Sequence, residues 1–65
     1  MIDITEREYK VLCLVSHGLR NNEIAKELEI TTDGVKNFMR NLFTKTGTVN
    51  RAHLVAWAYR KGVLQ

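Results

Sequence analysis

The sequence predicts an all-α, four-helix domain, and three observations lead there. Proline is absent, and apolar residues recur at three- and four-residue spacing. The four glycines, Gly18, Gly34, Gly47 and Gly62, punctuate the chain, three of them just past such a stretch. At 65 residues, 45% hydrophobic and 26% charged, the chain fits a single domain over residues 1–65, with no internal repeat and no linker.

The first helix starts behind Thr5, whose hydroxyl can cap it while Glu8, three residues on, completes a capping box. It runs to about His17. Glu8, Val11, Leu12 and Val15 share one face, Ile4 can pack just ahead of it, and Gly18 supplies the left-handed residue that stops it. A second helix spans Asn22 to about Glu29, with Asn21 as its cap and Ile24, Ala25 and Leu28 inward. After Ile30, Thr31 or Thr32 caps a third helix with Val35, Phe38, Met39 and Leu42 at i, i+3, i+4 and i+7. Gly47 closes it. The fourth helix runs from Arg51 or Ala52 to Lys61, before Gly62.

The third helix has an apolar back and a front of Lys36, Asn37, Arg40, Asn41 and Thr44. An eight-residue helix, a short turn and a longer helix with such a front are the proportions of a helix-turn-helix, with the third helix as recognition helix.

A chain this short buries only about 60% of its unfolded surface, which leaves a shallow core and little room for an enclosed catalytic pocket. Binding is favoured over catalysis. No nucleophile stands at usable spacing from a base, so no catalytic residue is expected. Cys13 is the one cysteine, and with His17 and His53 far apart no metal site or cofactor is expected either. Met1-Ile2-Asp3-Ile4 lacks the order of a signal peptide and no apolar run is long enough for a membrane span, so the expectation is a cytoplasmic protein with no membrane partner.

The net charge is +3, but its placement says more than its size. Residues 1–33 carry all seven acids and four bases; residues 34–65 carry six bases and no acid. An uncompensated basic half suggests a polyanion partner, against the alternative of a solvated basic face. Arg, Lys, Asn and Gln are the side chains that read base edges in a major groove, and Lys36, Asn37 and Arg40 can project together from the third helix. Arg40 suits guanine and Asn37 adenine, while Lys36 serves a base or a phosphate. Asn21, Asn22, Thr31 and Thr32 sit where helix N-termini offer N–H groups to phosphates, and Lys45 and Arg51 bracket the Gly47 loop as a backbone clamp. Gly34 costs the recognition helix roughly 1 kcal/mol relative to Ala, in exchange for close backbone approach or as a tolerated first-turn residue.

The fourth helix carries two apolar stripes, Val55 with Ala58 and Tyr59, and Leu54 with Trp57 and Lys61. One closes the core and the other is spare. An exposed Leu54 and Trp57, with Lys61, would form a two-fold dimer contact; in the competing account Trp57 roofs the core.

Ile4-Thr5-Glu6-Arg7-Glu8 through Val11-Leu12, then Gly18-Leu19, Glu23-Ile24-Ala25, Leu28, Ile30-Thr31, Val35-Lys36, Lys45, Gly47 and Asn50-Arg51 resemble, in order and spacing, the C-terminal helix-turn-helix domain of the LuxR/GerE/NarL family of bacterial transcription regulators. The resemblance covers nearly the whole chain. It implies a third helix in the major groove of double-stranded DNA and a fourth that forms a homodimer on repeated sites. By position, Lys36, Asn37 and Arg40 fall on the family's DNA contacts, Lys45 and Arg51 on residues near phosphates, and Arg7 and Glu23 on fold-stabilising polar pairing. Arg20, Gly34, Phe38, Thr46 and Thr48 depart from the family pattern, where Ser, Thr, His and two apolar residues are usual. Most relatives place this module after a receiver or ligand-binding domain, so the chain is a stand-alone regulator or a piece of a longer one.

Two functions follow as expectations: sequence-specific duplex binding that regulates transcription, or a protein-interaction module that binds RNA polymerase or another regulator through the fourth helix.

Overall fold

The computed structural model describes residues 3–65; Met1 and Ile2, the start of the segment tested for signal-peptide order, lie outside the described residues. Four helices follow in order: α1 (Glu6–Ser16), α2 (Asn21–Leu28), α3 (Thr32–Thr46) and α4 (Arg51–Arg60). Among the described residues there is no strand. The fold is the expected all-α helix-turn-helix arrangement, with α3 packed on each of the other three helices.

Local signals set most of the helix ends. The capping box at Thr5 is complete: the Glu8 N–H donates to Thr5 Oγ1 at 3.1 Å and the Thr5 N–H donates to Glu8 Oε1 at 2.9 Å. Thr31 rather than Thr32 caps α3, its Oγ1 accepting from the Gly34 N–H at 3.0 Å. Gly34 has a structural reason of its own. A Cβ there would come within 3.3 Å of that capping oxygen, so a side chain would press on the cap.

The start of α2 differs from expectation. Asn21 is already helical, and Arg20 holds the cap position with its backbone N–H donating to Glu23 Oε1 at 2.8 Å. Glu23 therefore does the polar pairing expected of it, but with main chain. Arg7 does not: it is exposed and takes part in no ion pair among the described residues. At the other end α2 stops at Leu28, and Glu29 turns left-handed with φ 56° while the Ile30 N–H closes on Ala25 O at 2.9 Å. A residue with a Cβ pays roughly 1 kcal/mol or more for that conformation, and nothing local in the sequence marks it.

The core collects Val11, Leu12 and Val15 from α1, Ile24 and Ala25 from α2, Val35, Met39 and Leu42 from α3, and Leu54, Trp57 and Ala58 from α4. Phe38 is half-buried against it. Leu64 adds a further buried side chain, because Val63 and Leu64 both donate backbone N–H bonds to Ala58 O and fold the tail back.

The two threonines that replace apolar residues around Gly47 satisfy each other. Thr46 Oγ1 donates to Leu42 O and lies 2.8 Å from Thr48 Oγ1, so the buried Thr48 hydroxyl is paired.

Candidate nucleic-acid interface

Burial of Val35, Met39 and Leu42 fixes the rotation of α3, and the side chains on the opposite face must then point out. Lys36, Asn37 and Arg40 are all exposed, as are Asn41 and Thr44. Fifteen residues at about 1.5 Å each make α3 a rod of about 22 Å. A single helix is what a duplex major groove about 12 Å wide admits.

The helix N-termini flank this stripe. Thr31 and Thr32 are exposed at the start of α3, and Asn22 is exposed in the first turn of α2. Asn22 and Thr32 have side chains not otherwise engaged in hydrogen bonds among the described residues, whereas the Thr31 oxygen serves its cap.

Two residues expected as phosphate ligands also make bonds within the fold. Lys45 Nζ donates to Glu8 Oε1 at 2.7 Å and to Asp3 O at 2.8 Å, which ties the end of α3 to the start of α1. Glu8 is buried. Burial pushes its carboxyl up, but the hydrogen bonds from Lys45 and from Thr5, with the lysine charge, outweigh that and hold it below the ordinary 4.5.

Arg51 is a brace of the same kind. Its guanidinium donates to Asn21 Oδ1 at 2.6 Å and to Leu19 O, pinning the α1–α2 turn to the start of α4. The sequence carried no cue to either bond, since Arg51 and Asn21 stand 30 residues apart.

The dimer surface also needs correction. Leu54 is 0% exposed and Trp57 only 7%, so both belong to the core and neither is a free contact residue; of the three expected there, only Lys61 is exposed. The competing account of Trp57 holds. The outward side of α4 carries Ala52, Ala56 and Tyr59 together with the polar His53 and Arg60, with Val55 half-buried beside them.

His17 and His53 both serve local backbone: His17 Nδ1 lies 2.8 Å from Cys13 O, and His53 Nδ1 accepts from the Val49 N–H at 3.3 Å. Cys13 is half-buried. Among the described residues no group of three His, Cys, Asp or Glu is placed to hold a metal ion, and no helix is long and apolar enough to cross a membrane.

Response regulator Rre1 of Synechocystis sp. is 45% identical over 64 residues, covering 98% of this chain and 28% of that protein. Transcriptional regulatory protein LnrK of Bacillus subtilis is 40% identical over 63 residues, 97% of this chain and 29% of that protein. The chain thus spans under a third of the length of these curated relatives. Among solved structures, the response regulator ChrA of a heme-sensing two-component system superposes with a TM-score of 0.93 at 26% identity, covering 95% of this chain and 31% of that one. The Vibrio cholerae VqmA dimer, a LuxR-type receptor described in the absence of its target DNA, gives 0.91 at 27% identity, over 95% of this chain and 28% of that one. A family model described as bacterial regulatory proteins, luxR family, matches residues 3–58, which takes in all of α1, α2 and α3 and most of α4. With the helix order, the exposed stripe of α3 and that match in agreement, the chain belongs to the LuxR family of bacterial regulatory proteins.

Proposed function

We propose that this chain binds double-stranded DNA sequence-specifically, with α3 in the major groove, and so regulates transcription. The observation that carries it is the two-sidedness of α3: its apolar face is locked in the core, which leaves Lys36, Asn37 and Arg40 exposed together on a half of the chain that holds six bases and no acid after residue 33. Arg40 donates to guanine O6 and N7, Asn37 pairs with adenine N6 and N7, and Lys36 reaches a base or a phosphate. Asn22, Thr31 and Thr32, with the N–H groups of the α2 and α3 N-termini, fix the register on the backbone.

On its target the protein pairs with a second copy through the outward side of α4, where Ala52, Val55, Ala56 and Tyr59 offer apolar area and Lys61 a polar rim. A duplex reader of this kind works beside the chromosome, in the cytoplasm. The second reading is a protein-interaction module that engages RNA polymerase or another regulator; Val49, 78% exposed in the loop before α4, favours it.

Anisotropy titrations of duplexes across a salt series test the proposal. The logarithm of affinity should fall linearly with the logarithm of salt, with slope about −0.9 per phosphate neutralised. Arg40→Ala should cost about 1–3 kcal/mol on the preferred duplex, relax one base pair, and leave thermal melting unchanged. Affinity that ignores both salt and sequence, alongside stable binding to purified RNA polymerase, would select the second reading.

A further inference from the structure

Asp33 stands alone in the charge pattern. It is the last of the seven acids, and every Lys or Arg of the basic half follows it. It lies in the first turn of α3, with Asn37 one helical turn further on and Arg40 two turns on, so the three share one outward stripe. Asp33 is exposed, and among the described residues the one ion pair is Lys45 with Glu8, which leaves the Asp33 carboxylate without a cationic partner. Capping does not use it either, because Thr31 already accepts from the Gly34 N–H.

An unpaired carboxylate beside phosphates is repelled, and it offsets basic charge that a polyanion rewards. The first turn of a recognition helix, however, also brings side chains to base edges in the major groove, and Asp33 lies on the stripe of Asn37 and Arg40. An ionised carboxylate only accepts hydrogen bonds. Guanine and thymine present acceptors in the major groove, and adenine sets its N7 acceptor beside its N6 amino group. Cytosine offers its N4 amino group with no acceptor next to it.

Resting on the DNA-reading role of α3 above, we propose that Asp33 is a specificity-determining residue that accepts a hydrogen bond from the N4 amino group of a cytosine in the target duplex. Seven residues at about 1.5 Å each separate it from Arg40 by about 10 Å along the helix, on the order of three base-pair steps. The preferred site therefore carries a C·G pair about that far from the guanine bound by Arg40.

Selection from random duplexes with the unmodified chain, Asp33→Ala, Asp33→Asn and Arg40→Ala tests this, followed by affinity measurements on single-base variants. The unmodified chain should prefer cytosine at that position by about fivefold or more. Asp33→Ala should lose that preference, keep the one set by Arg40, and bind unrelated duplexes more tightly because a repelling charge is gone. Asp33→Asn should move the preference toward adenine, whose N6 and N7 an amide matches. Unaltered base preference in Asp33→Ala while Arg40→Ala alters it would overturn the role of Asp33 and leave the DNA reading standing. A lower melting temperature in Asp33→Ala with the same base preference would assign the carboxylate to the helix dipole and likewise overturn it. No duplex selected by the unmodified chain would fell both.

Discussion

In α3 the buried residues Val35, Met39 and Leu42 alternate at helical spacing with exposed Lys36, Asn37, Arg40 and Asn41, whereas α4 carries apolar residues both inward, Leu54, Trp57 and Ala58, and outward, Ala52, Ala56 and Tyr59, with His53 and Arg60 as a polar strip between them. The first helix states its own orientation, because only one of its sides can leave water without stranding polar groups. The second does not. Its orientation comes from what surrounds it: α1, α3 and the returning Leu64 make an apolar cradle, and Arg51 anchors its first turn to Asn21 and Leu19. A helix with apolar residues both inward and outward needs such outside constraints to choose a side, and the side left over is then available for a partner.

Trp57 and Tyr59, two residues apart on α4, make the sharpest test of that contrast. Trp57→Ala should cost about 3–5 kcal/mol, the loss for a large core aromatic. A domain this size has only about 3–10 kcal/mol in all, so a thermal or urea melt should show the transition shifted far down or lost. Near-normal melting would return Trp57 to the surface and break the comparison.

Glu8 comes next, because it joins the end of α3 to α1 through Lys45. Glu8→Gln keeps the shape and removes the charge. The ion pair is buried on the glutamate side but about a third exposed at Lys45, so the expected loss is about 1–2 kcal/mol rather than that of a fully buried pair. The carboxyl is held below its ordinary value in the folded protein, so the folded state binds its proton less tightly than the unfolded chain. Its contribution is therefore complete above the unfolded value near 4.5 and is lost as pH falls through the lower folded value. Urea melts across that range should show a smaller acid-side decline in Glu8→Gln than in the unmodified chain. Equal declines would assign the acid sensitivity to other carboxylates.

The smallest effect on stability belongs to Tyr59, 51% exposed on the outer side of α4. Tyr59→Ser should change stability by no more than about 0.5 kcal/mol, while sedimentation on a two-site duplex shows weaker loading of the second copy. A loss above about 2 kcal/mol would show that both sides of α4 are core. Normal two-copy loading would move the dimer contact elsewhere.

Most of the helix frame was legible because its signals act within a few residues. The Thr5–Glu8 box, the Thr31 cap, and the left-handed glycines at 18, 47 and 62 each close a bond to a near neighbour along the chain. Where a local cue was weak, boundaries slipped: Arg20 has no capping side chain yet holds the cap position, and Glu29 is left-handed without being Gly or Asn. The stripe of Lys36, Asn37 and Arg40 was legible for the same reason as the core behind it, since both follow from the period of one helix.

Amino-acid order alone thus determined that there are four helices, where each roughly begins and ends, and which side of α3 faces water. Only the tertiary structure decided which cations bond within the fold, for Lys45 and Arg51 have the same chemistry as Lys36 and Arg40 and differ in what lies opposite them. Glu8 is 37 residues from Lys45, and Asn21 is 30 from Arg51. Periodicity reports the neighbours of a residue within a turn or two of helix, and contacts across such separations arise only once packing has brought the helices together.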